Sequence, residues 1–156
     1  MFKNIVWATD GSESADRALA FAEKLASTPG AKLFAVHADE HFAGGRSSGS
    51  PVLADEDGLE ASIRRQVETL REEGVDASFE VVPCTAGRIP HTLADYASEV
   101  DADVIVSGTR GHSGLAGILL DSVAQGLLHT APCPVLAVPP AAVPAHKDEA
   151  LAVAGA

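Results

Sequence analysis

The chain has 156 residues, 46% of them hydrophobic and 21% charged, which is the composition of an ordinary globular domain large enough to bury one core. Eleven basic residues against 22 acidic ones give a formal net charge of -11 at pH 7. A surface this acidic repels nucleic acid and anionic lipid, so we expect neither as a partner. An anionic ligand would need positive potential supplied locally at its site.

The sequence carries no pattern of a targeting or membrane segment. The opening MFKNIVWATDGS reaches Asp10 too soon for the apolar region of a signal peptide, and no apolar run approaches the ~20 residues that span a bilayer. Cys84 and Cys133 lie far apart and form no C-x-x-C pair, which is typical of reduced structural thiols. We therefore expect a cytoplasmic protein.

Short apolar runs alternate along the chain with segments whose apolar residues recur at helical spacing. The predicted elements are, in chain order, strand 4–9, a helix from Ser14 that stops at 28–30, strand 32–38, a mobile polar connection over 39–58, a helix from Leu59 that stops at Gly74, strand 77–82, a helix over 89–100, strand 103–108, a helix from near Ser122, and strand 134–139. Ser12 and Ser14 are both candidates for the N-cap of the first helix.

This alternation predicts an α/β fold, with a parallel sheet, right-handed crossovers and helices on both faces. No internal repeat is evident, so we expect one domain over residues 1–140. The tail 141–156 is rich in alanine and proline and is expected to be flexible.

Open parallel sheets bind ligands at the carboxyl ends of their strands, where the winding of the chain reverses. Asp10 to Ser12 leave the first strand, and Gly108 to Gly111 leave the fourth. If these two strands are neighbours, both segments border one cleft. The pattern leaves their adjacency open, because another common strand order puts the reversal elsewhere.

The glycine-rich loop GTRGHSGLAGILLDS begins at Gly108 and precedes a helix. Glycines let the backbone approach an anion and point N–H groups at it, and the helix adds its positive dipole end. Arg110 and His112 are the nearest side chains that offset the acidic surface. The alternative is a plain glycine-rich turn. Neither the Walker motif nor the dinucleotide fingerprint fits the spacing.

These residues resemble the universal stress protein family. Its ATP-binding members carry Gly, two residues, Gly, nine residues, then Gly followed by Ser or Thr; Gly108, Gly111 and Ser122 match this pattern, whereas Asp121 stands at the third glycine. The opening NIVWATDGSESADRAL, the strand FAVHA, the stretch DADVIVSGTRG and the closing VAQGLLHTAPCPVLAVP are also similar to the family. The match covers roughly the first 140 residues, and several ordered motifs make it specific.

The resemblance implies an open five-stranded parallel sheet of order 3-2-1-4-5, Rossmann-like and similar to the adenine nucleotide alpha hydrolase fold. It also implies ATP or another adenine nucleotide, with or without Mg²⁺, across the first and fourth strands. A homodimer through the last strand, an unknown protein partner and a stress-response role without catalytic activity follow from the same likeness. The matching nucleotide-binding positions are Ala8, Thr9, Asp10, Ala38, Gly108, Arg110, Gly111, Ser122 and Val123.

Asp121 puts a carboxylate where the family exposes a bare backbone. Two like charges about 4 Å apart cost ~4 kcal/mol at an effective dielectric near 20, which corresponds to nearly a thousandfold in affinity. Mg²⁺ coordinated by Asp121 would remove part of that repulsion. Alternatively, Asp121 or Ser122 caps the following helix, with Gln125 completing an S-x-x-Q box. We predict nucleotide affinity that is reduced or dependent on Mg²⁺.

Other signals have simpler explanations. HADEH (37–41) fits the zinc-peptidase pattern H-x-x-E-H, but that chemistry needs both histidines on one helix face. We place His37 at a strand end near the adenine pocket and His41 in a loop, and we expect no metal site. Asp10 on its own suits a turn or helix cap, and Asp103 a solvated or turn-stabilising carboxylate. Cys84 suits a packed thiol better than the alternative, a redox sensor.

Three functions stay open at this stage. The chain is a nucleotide-binding regulatory dimer, an interaction module that has lost the nucleotide, or a slow ATPase. We predict no enzyme and no catalytic residue, because no base, nucleophile or phosphate-clamping lysine is recognisable.

Overall fold

The computed structural model describes residues 1–41, 56–109 and 122–140. Strands and helices alternate through them, as the hydrophobic pattern predicts. The elements are β1 (Asn4–Ala8), α1 (Glu13–Ala26), β2 (Lys32–His41), α2 (Glu56–Glu72), β3 (Asp76–Thr85), α3 (Ile89–Glu99), β4 (Val104–Gly108), α4 (Ser122–Thr130) and β5 (Val135–Val138).

The five strands form one parallel sheet of order β3-β2-β1-β4-β5. Ile5 of β1 lies opposite Leu33 of β2 on one side and Val104 of β4 on the other. The order that the family resemblance implied is confirmed. The adjacency of the first and fourth strands, which the pattern left open, is settled by the β1–β4 pairing.

Helices cover both faces of the sheet. Trp7, Leu33 and Val106 pack on the face that α1 and α2 cover, whereas Val6 and Ile105 pack on the face of α3 and α4. Strands buried on both faces read as unbroken apolar runs, which is why β1 and β4 were predictable from composition alone. No helix within the described ranges is long and apolar enough to cross a bilayer.

The predicted connection 39–58 is wrong at both of its ends. β2 continues through His41, paired with β3 over ten residues from Lys32 opposite Asp76 to His41 opposite Thr85, and α2 begins at Glu56. The ladder with β3 satisfies the backbone of the polar residues Asp39 to His41, so their composition does not end the strand. Residues 42–55, and the tail 141–156 predicted to be flexible, lie outside the described ranges.

Asp103 ties the start of the chain to the sheet. Its Oδ2 accepts the N–H of Lys3 at 2.7 Å and the N–H of Asn4 at 2.9 Å, and these hydrogen bonds lower the pKa of the Asp103 carboxyl. Asn4 in turn donates from Nδ2 to the Val100 carbonyl at 2.9 Å. Asp103 is exposed, as predicted for a solvated carboxylate, but its hydrogen bonds join the start of β4 to the start of β1 and do not stabilise its own turn.

Candidate functional site

A cleft opens at the carboxyl ends of β1, β2 and β4, on the edge where the sheet reverses its winding. Its volume is about 100 Å³, several times the ~15 Å³ that one water molecule requires. Helices α1, α3 and α4 close its sides. The lining residues are Ala8, Thr9, Asp10, Ala15, Val36, His37, Ala38, Ile89, Leu93, Ser107, Gly108 and Val123.

The turn after β1 positions Asp10 at this edge. Oδ1 of Asp10 accepts the N–H of Ser12 at 3.0 Å, which closes an Asx turn. Ser12 is the N-cap of α1, and its Oγ accepts the N–H of Ala15 at 3.2 Å. Of the two predicted caps, Ser12 is the one used, and Ser14 is buried inside the helix. The turn role of Asp10 is therefore present, while its predicted contact with a nucleotide stays a prediction.

Gly11 has a structural reason to be glycine. Its φ of 70° lies in the left-handed region, and a Cβ there would stand 1.8 Å from Cδ1 of Leu59 in α2. Its N–H donates to Oγ1 of Thr9 at 3.1 Å. The turn thus packs directly beneath α2, and no side chain at position 11 fits without displacing Leu59.

Gly108, the first glycine of the predicted phosphate loop, is also fixed by packing. A Cβ at this position would stand 2.5 Å from Oγ of Ser14 and 2.7 Å from the Ser14 carbonyl carbon and oxygen. Those backbone atoms belong to α1 and have no rotamer to change. The close approach of β4 to α1 therefore requires glycine at 108, whether or not a phosphate binds beyond it.

His37 lines the cleft and is buried. Its Nδ1 lies 3.0 Å from the Thr9 carbonyl oxygen, and its Nε2 lies 3.3 Å from Oε2 of Glu56. The predicted position of His37 near the pocket is the observed one. The contact with Glu56 was missed, because that residue fell in the segment expected to be a connection.

The zinc-peptidase pattern finds no support in this geometry. His37 and His41 both lie in β2, so the helix face that the pattern requires does not exist, and the prediction that His41 lies in a loop is wrong. Across residues 1–41, 56–109 and 122–140, no three His, Cys, Asp or Glu side chains are grouped to hold a metal ion. Cys84 is buried and accepts a hydrogen bond from Oγ1 of Thr92 at 3.3 Å, as a packed thiol does.

The structure brings most of the predicted site residues together. Six of them line the cleft: Ala8, Thr9, Asp10, Ala38, Gly108 and Val123. Ser122 begins α4, next to Val123. Arg110, Gly111 and Asp121 lie outside the described residues, so their predicted contacts, and helix capping by Asp121 or Ser122, stay predictions.

Sequence reasoning missed the apolar wall of the cleft. Ile89 and Leu93 from α3 face Val36 of β2 and Val123 of α4 across it. The helical spacing of Ile89 and Leu93 predicts an apolar helix face, but this spacing does not show that the start of the face borders a cleft. Ile89, the first residue of α3, and Leu93 both line the cleft.

The described lining is nearly uncharged. Asp10 and His37 are its titratable side chains, and the rest are small, apolar or hydroxyl-bearing. Such a surface suits a flat apolar ring with a few polar edges. Among the described residues, the N-terminal end of α4, which begins at Ser122, is a source of positive potential for a phosphate.

Comparison with known proteins agrees with this geometry. The model of the universal stress protein family matches residues 1–139. The chain belongs to the universal stress protein family. A Thermus aquaticus relative, "Universal stress protein in QAH/OAS sulfhydrylase 3'region", is 35% identical over 144 residues, with 88% of this chain and 99% of the relative covered.

Solved structures of family members show the same fold. UspA of Lactobacillus plantarum aligns with a TM-score of 0.71 over 87% of this chain and 97% of its own, at 21% identity. An Archaeoglobus fulgidus universal stress protein in complex with dAMP aligns with a TM-score of 0.60 at 28% identity, over 88% and 98%. A universal stress protein in complex with cAMP gives 0.59 at 28% identity, over 88% and 96%.

Proposed function

We propose that this universal stress protein binds an adenine nucleotide in the cleft between β1 and β4 and acts in the cytoplasm as a regulatory protein of the stress response, without catalysing a reaction. The observation that carries the proposal is that six of the positions that the family resemblance implied, Ala8 to Asp10, Ala38, Gly108 and Val123, line one cleft. Two family members of 28% identity are complexes with dAMP and cAMP, which supports an adenine ligand.

The proposed base site is the apolar part of the cleft. Ile89 and Val123 are partly exposed there, in front of the buried Val36 and Leu93, and a purine ring would pack against this hydrocarbon surface. Ala8 and Ala38 have small side chains, which leave room for the ring. The backbone around them supplies the polar edges that select one base over another.

The phosphates are proposed to lie along the loop that leaves Gly108 and against the first turn of α4. Val123 lines the cleft, so that turn reaches the ligand, and a helix start carries unpaired N–H groups and a partial positive charge. Arg110 is the proposed cation. Asp121, immediately before the helix in sequence, weakens this binding unless Mg²⁺ bridges it to the phosphates.

Isothermal titration calorimetry with AMP, ADP, ATP and GTP, each with and without Mg²⁺, tests the proposal. We expect adenine nucleotides to bind and GTP to bind more weakly. Asp121→Gly is expected to raise ATP affinity by up to about a thousandfold without Mg²⁺ and by less with it. The matched variant Asp121→Asn removes the charge but keeps the side-chain size, which separates repulsion from obstruction.

The outcomes of these titrations distinguish the three candidate functions. If the wild type gives no heat and Asp121→Gly binds, the protein is an interaction module that has lost its nucleotide. If neither binds any adenine nucleotide, the proposal fails. Multiple turnover of ATP at an ordinary enzymatic rate would contradict the proposal that the protein catalyses no reaction. Gly108→Val is unsuitable as a variant for testing ATP turnover, because the new side chain meets the backbone of Ser14.

The proposed assembly is a homodimer through β5. This strand ends the sheet beside β4, and an edge strand offers unpaired backbone groups to another chain. Leu136 in β5 is 37% exposed and Leu128 in α4 is 54% exposed, so apolar surface is available beside the edge. The identity of a further protein partner is left to experiment.

A further inference from the structure

Both ring nitrogens of His37 face oxygen atoms, so each contact needs a proton to form a hydrogen bond. Nδ1 approaches the carbonyl oxygen of Thr9 at 3.0 Å and Nε2 approaches Oε2 of Glu56 at 3.3 Å. The His37 side chain is 7% exposed and that of Glu56 is 38% exposed. The contacts join β2 to the end of β1 and to the first residue of α2.

The protons in this arrangement can be counted. A backbone carbonyl accepts only, so Nδ1 must carry a proton to bond Thr9. In a neutral imidazole Nε2 is then an acceptor, and it faces a carboxylate that also only accepts. A hydrogen bond between them needs one more proton. That proton sits either on Nε2, which makes His37 an imidazolium, or on the Glu56 carboxyl, which then donates to Nε2.

We propose that His37 and Glu56 share one titratable proton, which fastens the first turn of α2 to the rim of the cleft, and that loss of this proton as the pH rises releases that turn. Histidine is the side chain whose charge changes within the physiological pH range. The direction of the pH effect follows from the number of protons. The His37–Glu56 contact, called the clasp below, holds where the shared proton is bound. It opens where that proton is lost, because two acceptors then face each other.

The surroundings of the clasp are acidic. Among the described residues, the ones placed around this contact are Asp10 at the end of β1, Asp39 two residues along the same face of β2, Glu60 one turn further in α2, and the uncharged Ala15 of α1, Val81 of β3 and Ser107 of β4. The charged residues among them are carboxylates. Their charge is why the controls below change one carboxylate at a time.

Hydrogen exchange of the nucleotide-free protein measures the clasp. After correction for the intrinsic pH dependence of exchange, we expect protection of the amides of residues 60–63 to fall roughly fivefold between about pH 5 and pH 8, relative to amides in the middle of α3. Side-chain ¹⁵N NMR of His37, assigned by comparison with His37→Gln among the six histidines, follows the proton itself over the same range.

Glu56→Gln is the matched variant. Its side-chain amide donates to the lone pair of a neutral Nε2, so the contact persists without the shared proton and the fivefold change is expected to vanish. Glu60→Gln removes the same charge one turn away and is expected to keep the change.

Protection that stays constant with pH in the wild type, or a pH response that survives in Glu56→Gln, would overturn the clasp. If Glu56→Gln does not fold, the wild-type spectrum decides: a neutral imidazole that coexists with full protection of the first turn contradicts the proposal. Every measurement is made without nucleotide, so failure of nucleotide binding and failure of the clasp are distinguishable.

Discussion

Gly108 lies against Ser14 so closely that a Cβ on the glycine would stand 2.7 Å from the serine carbonyl oxygen. The contact joins the end of β4 to the start of α1 at the base of the cleft. Glycine here has two separable roles, one in packing and one in the proposed approach to phosphate. The packing role holds in the protein without ligand.

Gly108→Ala is expected to destabilise the fold by about 3 kcal/mol, because the new methyl group meets rigid helix backbone. Gly30→Ala is the control: Gly30 has a φ of 80°, but a methyl group there would meet nothing within 4 Å, so this variant loses only ~1 kcal/mol to backbone strain. Urea unfolding followed by the fluorescence of Trp7, the single tryptophan and fully buried, measures both. Equal losses in the two variants would refute the packing role.

Asp103 predicts a pH dependence of stability. Hydrogen bonds from the N–H groups of Asn4 and Lys3 lower the pKa of its carboxyl, so its contribution is present above the unfolded-state pKa and is lost as the pH falls through the folded one. Asp103→Asn is expected to lower the midpoint of thermal unfolding at pH 7 and to differ less from the wild type at an acid pH below the usual range of an aspartate carboxyl. A gap between the two proteins that is the same at both pH values contradicts this account.

Tyr96 predicts that the stability of the fold decreases as the pH rises, which is opposite in direction to the effect of Asp103. Burial, followed by a hydrogen bond to Glu80, raises the pKa of its phenol, so its contribution is complete below the unfolded-state pKa and disappears as the pH rises beyond it. Tyr96 is the only tyrosine, so ultraviolet absorbance of tyrosinate reports on it alone. We expect that absorbance to appear together with loss of native Trp7 fluorescence. Tyrosinate forming near pH ~10 in folded protein would disprove the burial argument.

Leu136→Lys tests the proposed dimer. A charge on the exposed face of β5 is expected to give a monomer mass by light scattering at micromolar concentration, where the wild type gives a dimer. The stability of the monomer fold is expected to change by no more than about 0.5 kcal/mol. Phe2→Lys, at a residue 39% exposed near the chain start, is the control and is expected to remain dimeric. A wild-type protein that is itself monomeric contradicts the proposal.

The predictable parts of the fold are those governed by local composition. β1 and β4 are buried on both faces and read as apolar runs, and Ser12 caps α1 as residues of its type do. The last residues of β2 were missed because their pairing with β3, not their polarity, makes them a strand. The strand order came from the family resemblance, since alternation alone permits more than one winding.

The candidate site likewise has parts that could be predicted from the sequence and parts that could not. Asp10 and Gly108 follow buried strands, so their meeting at one edge could be predicted once β1 and β4 were neighbours. The His37–Glu56 contact joins residues 19 apart in the chain, across a segment with no periodic pattern. The approach of Gly108 to Ser14 depends on how deeply α1 seats on the sheet, and no local sequence signal encodes that distance.

A crystal structure of the protein with ATP and Mg²⁺ tests the central claim most directly. We expect the adenine ring to lie against Ile89 and Val123, and the phosphates to be held by main-chain N–H groups between Gly108 and the start of α4. Adenine density at any other surface would contradict it, as would an empty cleft in which those N–H groups already bond to the protein.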